Sequence, residues 1–220
     1  MFQIKVCGIT SAEDAAMAAA AGADALGLNF YPGSPRCVGL PLAEAIVSSL
    51  PSGVFKVGLF VNAPIEAACS TFDQLGLDLI QLHGDEPPEY LAALEGRPVV
   101  RAFRVPAGGL PEVANYLRQC RQLGCLPRLC LMDSCRAGSY GGTGMTAAWE
   151  DLRQYPLEDW HPPMVLAGGL TAENVAEAVR VVQPHAVDVA SGVELSPGRK
   201  DAVLLARFVE AAKTALKKVL

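Results

Sequence analysis

Two kinds of segment alternate along the chain. Short runs rich in Val, Ile, Leu and Phe are apolar at successive positions and read as strands buried on both faces. Longer Ala-, Leu- and Glu-rich runs carry apolar residues three or four apart and read as amphipathic helices. "FQIKVC" is followed by "SAEDAAMAAAAG", with Ser11 as a plausible N-cap and Gly22 as a stop. "DALGLNF" precedes "LAEAIVSSL", "VFKVGLF" precedes "PIEAACSTFDQLG", and "LDLIQLH" precedes "PPEYLAALE". Pro64 stands where an early-turn proline is tolerated. In the second half, "PVVRAFRV" leads into "LPEVANYLRQCRQLG". "RLCLMD" leads through a Gly-rich loop into a short helix near "AAWEDL". "PMVLAGG" leads into "TAENVAEAVRVV", where Thr171 and Asn174 suit a helix start, and "HAVDVASG" leads into a final helix over roughly 200–218.

That is eight strand–helix units. Strands apolar on both faces imply a parallel sheet covered by helices. Eight units in 220 residues fit a single (β/α)8 TIM barrel spanning 1–220, near the lower end of that fold's size range. An open doubly wound sheet is the alternative, and the strand count favours closure. No linker divides the chain. The Pro/Gly-bearing stretches 31–41 and 134–146 read as two long strand-to-helix loops.

Composition narrows the class. Hydrophobic residues make up 51% and charged residues 19%, enough for a large core. No apolar run reaches the length of a membrane span, and no basic segment followed by a long apolar stretch opens the chain, so a soluble cytoplasmic protein is expected. Net charge is −5 and no Lys/Arg run could track a phosphate backbone, which argues against nucleic acid. Cys120, Cys125, Cys130 and Cys135 fall at even spacing. They straddle a helix end, two loops and a strand without any C-x-x-C pair, so they read as core and loop thiols rather than a metal site.

In a barrel of this kind, chemistry collects at the C-terminal ends of the strands. The residues there are Cys7–Gly8, Asn29 with "YPGSPR", His83–Gly84, Arg104, Asp133, "GGTG" (141–144), "AGG" (167–169) and Asp188 with "ASG" (190–192). The paired segments around Gly168–Gly169 and Ser191–Gly192 suit a phosphate site built from backbone N–H groups. "GTGMTA" matches a dinucleotide pattern but lies too far from its strand, and a glycine-rich lid over the ligand is the simpler reading. Cys7 and Asp133, on opposite sides of the mouth, are candidate base and acid; each could instead be structural, as buried filler or loop cap. His83 is a possible base or a histidine bonded to backbone, whereas His161 and His185 sit near strand starts. Arg36 is the best-placed fixed cation for a carboxylate or phosphate, or a solvated loop arginine.

"KVCGIT", "GADALGLNFYPGSPR", "VGLFVN", "QLHGDE", "LMDS", "GGTG", "LAGGLTAENV" and "VDVASGVE" occur in this order over essentially the whole chain. In these eight motifs the sequence resembles the phosphoribosylanthranilate isomerase family of tryptophan biosynthesis. The resemblance implies an Amadori rearrangement of an aminoaldose phosphosugar to an aminoketose, with no metal or organic cofactor. It implies Asp133 as general acid, Cys7 as thiolate base and Arg36 on the anthranilate carboxylate. Gly141, Gly142, Gly144, Gly168, Gly169, Ser191 and Gly192 would serve the phosphate end, Asp188 a sugar hydroxyl, and His83 would also contact substrate.

The chain departs from the family pattern after "GGTG". A lysine followed by an aromatic–acidic–tryptophan run is common there, and this chain has Met145, Thr146, Ala147, Ala148 and Trp149. Cys7 separates it from histidine-pathway aminoaldose isomerases, which place aspartates at both catalytic strand ends. A pentose-phosphate epimerase would need a His/Asp metal set that the sequence lacks. A catalytically silent barrel acting as a binding module is disfavoured by the Cys7–Asp133 pair. The expected partner is a small-molecule phosphosugar alone, without nucleic acid or membrane, and a monomer is favoured over a homodimer.

Overall fold

A computed structural model of the chain describes residues 1–106, 108–134 and 145–218, the last stretch without the side chains of 145–148. Eight strands run β1 Ile4–Cys7, β2 Ala25–Asn29, β3 Phe55–Phe60, β4 Leu79–Leu82, β5 Val99–Arg104, β6 Leu129–Asp133, β7 Met164–Ala167 and β8 Ala186–Val189. Each pairs in parallel with its neighbours in chain order, and β8 returns to β1 to close a (β/α)8 barrel. The helices are α1 Ala12–Ala21, α2 Leu40–Ser49, α3 Ile65–Leu75, α4 Pro88–Ala92, α5 Leu110–Gln122, α6 Met145–Leu152, α7 Val175–Val182 and α8 Ala202–Leu216.

The caps follow side-chain chemistry. The Ser11 hydroxyl accepts from the Asp14 N–H, and Gly22 closes α1 at φ 95°, a backbone conformation costly to a side chain. Pro64 is the N-cap residue of α3, one position before the helix. Helix α4 is shorter than expected, with 5 residues ending at Ala92. Of the two expected start positions for α7, Asn174 is the N-cap residue and Thr171 lies in the loop before it; the Asn174 amide braces that loop, Oδ1 accepting from the Thr171 N–H and Nδ2 donating to the Gly169 carbonyl. An unanticipated 3-10 turn, Ser191–Val193, and a two-stranded hairpin, β9 Glu194–Ser196 with β10 Arg199–Lys200, separate β8 from α8.

Successive strand residues face opposite sides of the barrel wall. One set packs against the helices: Ile4, Val6, Leu26, Leu28, Cys130, Met132, Leu166, Val187 and Val189 join Leu117, Val179, Leu205 and Phe208 in one core. The other set fills the barrel: Ala25, Val57, Leu79, Val100, Ala102, Leu129, Leu131, Val165, Ala167 and Ala186, closed at the N-terminal end by Phe2 against Phe55. The inward parity that contains Ala25 and Val57 also contains Lys5, Cys7, Asn29, Gln81, His83, Arg104, Asp133 and Asp188. These are the polar residues near the C-terminal mouth. Among the described residues no helix is long and apolar enough to cross a membrane.

Candidate active site

A cavity of about 450 Å³ opens at the C-terminal end of the barrel. Cys7, Arg36, His83, Asp133, Gly168, Gly169, Asp188, Ser191 and Gly192 all line it. These nine expected site residues, drawn from six of the eight strand ends and their loops, therefore share one space. Gly141, Gly142 and Gly144 lie outside the described residues. A larger concavity, about 750 Å³, lies between α7 and α8 on the outer face, away from these groups.

On the β1 side, Cys7 is 7% exposed and forms part of the cavity wall. Its register partner is Gly27 on β2. A Cβ at Gly27 would stand 2.8 Å from the Cys7 sulfur and 3.1 Å from Lys5 Nζ. The missing side chain makes room for thiol and ammonium together. Lys5 is fully buried and its Nζ lies 2.8 Å from Asp188 Oδ1, a pair that joins β1 to β8 across the closing seam. Burial alone would lower the Lys5 ammonium; the Asp188 and Cys7 groups beside it outweigh that and raise it.

Arg36 reaches the same wall from the β2–α2 loop. Its Nε and Nη2 donate to the two carboxylate oxygens of Glu194 at 2.9 and 2.6 Å. Lys200 Nζ, from β10, donates to Glu194 Oε1 at 2.7 Å, to the Cys7 carbonyl at 2.7 Å and to the Ala190 carbonyl at 3.1 Å. Burial would push the Glu194 carboxyl up, but the hydrogen bonds from Arg36 and Lys200 and their charges hold it below its ordinary range. Glu194 thus fixes the guanidinium by its Nε–Nη2 edge.

Asp133 ends β6 with its carboxylate 24% exposed, and His83 Nε2 lies 3.6 Å from its Oδ2. The fully buried Gln81, one inward position below on β4, sets its amide nitrogen 3.2 Å from His83 Nδ1. Arg104, the β5 register partner of Asp133, donates to the His83 carbonyl at 3.2 Å.

The β7 and β8 loops meet at the far end. Gly168 and Gly169 have φ of 95° and 64°. At Gly192 a Cβ would collide with the Leu170 carbonyl, so only glycine lets the two turns touch. The result is a backbone-lined concavity beside Ser191, of the kind that receives phosphate oxygens.

Lys5, Gln81, Glu194 and Lys200 were not among the expected site residues. For Lys5 a signal existed: a charge at the same parity as Cys7 in an apolar strand has to point inward. Glu194 and Lys200 belong to the hairpin that the sequence pattern did not reveal.

The family model described as N-(5'phosphoribosyl)anthranilate (PRA) isomerase matches residues 4–211. The N-(5'-phosphoribosyl)anthranilate isomerase of Geobacter metallireducens is 47% identical over 214 residues, covering 97% of this chain and 100% of that relative. The crystal structure of phosphoribosyl anthranilate isomerase from Thermotoga maritima superposes with a TM-score of 0.84 at 38% identity, covering 97% of this chain and 100% of that one. A crystal structure of phosphoribosyl anthranilate isomerase in complex with reduced 1-(o-carboxyphenylamino)-1-deoxyribulose 5-phosphate gives 0.81 at 36% identity, with the same coverage of both chains. With its barrel closed on one polar mouth and a match running from the first strand into the last helix, this chain belongs to the N-(5'-phosphoribosyl)anthranilate isomerase family.

Proposed function

We propose that the mouth of this barrel carries out the Amadori rearrangement of N-(5-phosphoribosyl)anthranilate by proton transfer between two side chains. Asp133 gives a proton to the furanose ring oxygen as the anilino nitrogen lone pair forms the C1=N bond and the C1–O bond breaks. The Cys7 thiolate then takes the proton from C2, and that C–H electron pair neutralises the Schiff base to an enolamine. Tautomerisation of the enol yields the aminoketose. In that tautomerisation C1 gains a proton and the C2 hydroxyl loses one, so no oxidant or reductant is needed and one acid and one base suffice.

The surrounding groups support this assignment. His83, whose Nε2 lies 3.6 Å from Asp133 Oδ2, is placed to steady the carboxylate left after proton donation. Arg36, held on one edge by Glu194, offers its remaining donors to the anthranilate carboxylate. The turns at Gly168–Gly169 and Ser191–Gly192 would receive the phosphate, and Asp188 Oδ2, the oxygen not facing Lys5, a sugar hydroxyl. Gly141, Gly142 and Gly144 are proposed for the phosphate end on the sequence resemblance alone.

The observation that carries the reading is that Cys7 and Asp133 face a common cavity from β1 and β6, with a cation at one flank and two glycine turns at another. The test is an assay with phosphoribosylanthranilate generated in situ, following loss of its fluorescence. Turnover without added metal or cofactor is expected; absence of turnover by folded protein overturns the reading. We further propose a cytoplasmic monomer. Of the large exposed apolar side chains among the described residues, Leu123 and Leu126 lie close in the chain, and Met1, Tyr31, Leu42, Leu157, Leu195 and Val203 come from separate segments; sedimentation velocity would expose a dimer.

A further inference from the structure

Lysine is among the residues least often buried, and an ammonium taken out of water is costly unless it is paired. Lys5 is nevertheless fully enclosed inside the barrel. Pairing with Asp188 keeps it charged there but does not account for its presence. A buried ion pair replaced by apolar residues of similar volume is often neutral or stabilising, and the barrel interior beneath it is apolar, built from Ala, Val, Leu and Phe.

The explanation lies in how its protons are used. Three cations interact with the Cys7 thiol: Lys5 from β1, Arg36 from the β2–α2 loop and Lys200 from β10. Lys200 directs its three protons to the Cys7 carbonyl, the Ala190 carbonyl and Glu194. Arg36 is engaged by Glu194 through Nε and Nη2. Lys5 Nζ donates to Asp188 Oδ1 at 2.8 Å, and the Cys7 thiol is its other interacting side chain among the described residues. Its other two protons remain in the space above Gly27, which it shares with the sulfur. The acidic groups on this side are Asp188 on β8, Glu194 on β9 and, behind Lys200, Asp14 on α1. His83, Arg104 and Asp133 face Cys7 from across the cavity.

We propose that Lys5 is a positioning residue for the catalytic base: its ammonium, anchored by Asp188, favours the thiolate of Cys7 and holds the sulfur at the cavity wall. The inference rests on the reading of Cys7 as base. Asp188 thereby acquires a second role, orienting Lys5, beside its proposed contact with a sugar hydroxyl. A thiolate in a nearly dry wall loses most of its hydration, and a fixed ammonium with almost no screening is the compensation the fold supplies.

The test is alkylation of Cys7 by iodoacetamide as a function of pH, read on the Cys7 peptide by mass spectrometry so that the other cysteines do not contribute. Lys5→Met removes the charge. Lys5→Gln removes it while keeping a donor for Asp188, and is the variant to read if Lys5→Met does not fold. Lys5→Arg keeps the charge. In the neutral variants the alkylation rate at pH 7 should fall about tenfold or more, with the profile displaced to higher pH and its alkaline plateau preserved, because the thiolate is the reacting form. The acid limb of kcat/KM should move the same way, and Lys5→Arg should stay near the original profile. Identical alkylation profiles with and without the Lys5 charge would overturn the inference. Failure of the underlying reading is separable: a Cys7→Ser protein that keeps its turnover removes the base assignment whatever the alkylation shows.

Discussion

On the proposed reading, recognition of the substrate carboxylate falls to one side chain, Arg36. Glu194 grips its guanidinium through Nε and Nη2, which fixes its direction and leaves little ordering to be done on binding. Arg36→Met should raise KM by about tenfold or more with kcat nearly unchanged, since the carboxylate is held alike in ground and transition states. A substrate analogue without the carboxylate should be indifferent to the change; equal loss for both would remove Arg36 from this role. Glu194→Gln should cost about 2 kcal/mol at neutral pH, the scale of hydrogen bonds to a charged group. The Glu194 carboxyl titrates lower in the fold than the ordinary 4.5. Its contribution is therefore present above that value and lost as pH falls through the folded one. Urea midpoints of the original protein and Glu194→Gln should thus converge in acid; a gap independent of pH would contradict the linkage. That Cys7, Asp133 and Arg36 stand together at the mouth was legible from the sequence, because each ends a strand or punctuates a loop there. Glu194 and Lys200 were not, because they act on residues 158 and 193 positions away in the chain, and no local pattern encodes that meeting.

Among the elements, the β4–α4 connection matters most to the proposed chemistry, because it carries His83, which lines the cavity. Glu86 is 3% exposed and binds the loop from inside. Its carboxylate accepts from the Asn62 N–H at 2.8 Å and the Gly84 N–H at 3.0 Å, and faces Arg101 Nη1 at 3.3 Å. Arg101 donates in turn to the Leu82, Gly84 and Ala102 carbonyls and lies over the Phe103 and Tyr116 rings. Glu86→Ala strands a buried guanidinium and should destabilise by ~3–5 kcal/mol in urea unfolding, with kcat falling as His83 loses its frame. A loss within 0.5 kcal/mol of zero, inside the range of ordinary surface changes, would show that the loop does not need this brace. The element pattern was readable wherever period and caps agreed, as at Ser11 and Gly22. It overran at α4, which stops at Ala92, and missed the β9–β10 hairpin, whose Pro197–Gly198 turn interrupts a stretch too short to show alternation.

At the level of the whole molecule, closure of eight strands brings residues 7, 133 and 188 to one rim and lets inward parity decide which side chains meet. The barrel class followed from the unit count and doubly apolar strands, because a parallel sheet buried on both faces needs helices all round. What the count could not convey is that the layer below the mouth is itself polar at Lys5 and Gln81, one beneath the thiol and one beneath the histidine. The acid–base account is tested most directly by kcat of Cys7→Ser and Asp133→Asn in the in situ isomerase assay, each variant checked for an unchanged urea midpoint. Each should lose ~10²–10⁴-fold in kcat with KM little altered, the range of a general acid or base. A variant that keeps kcat near the original value while chemistry remains rate-limiting would contradict the assignment of that residue.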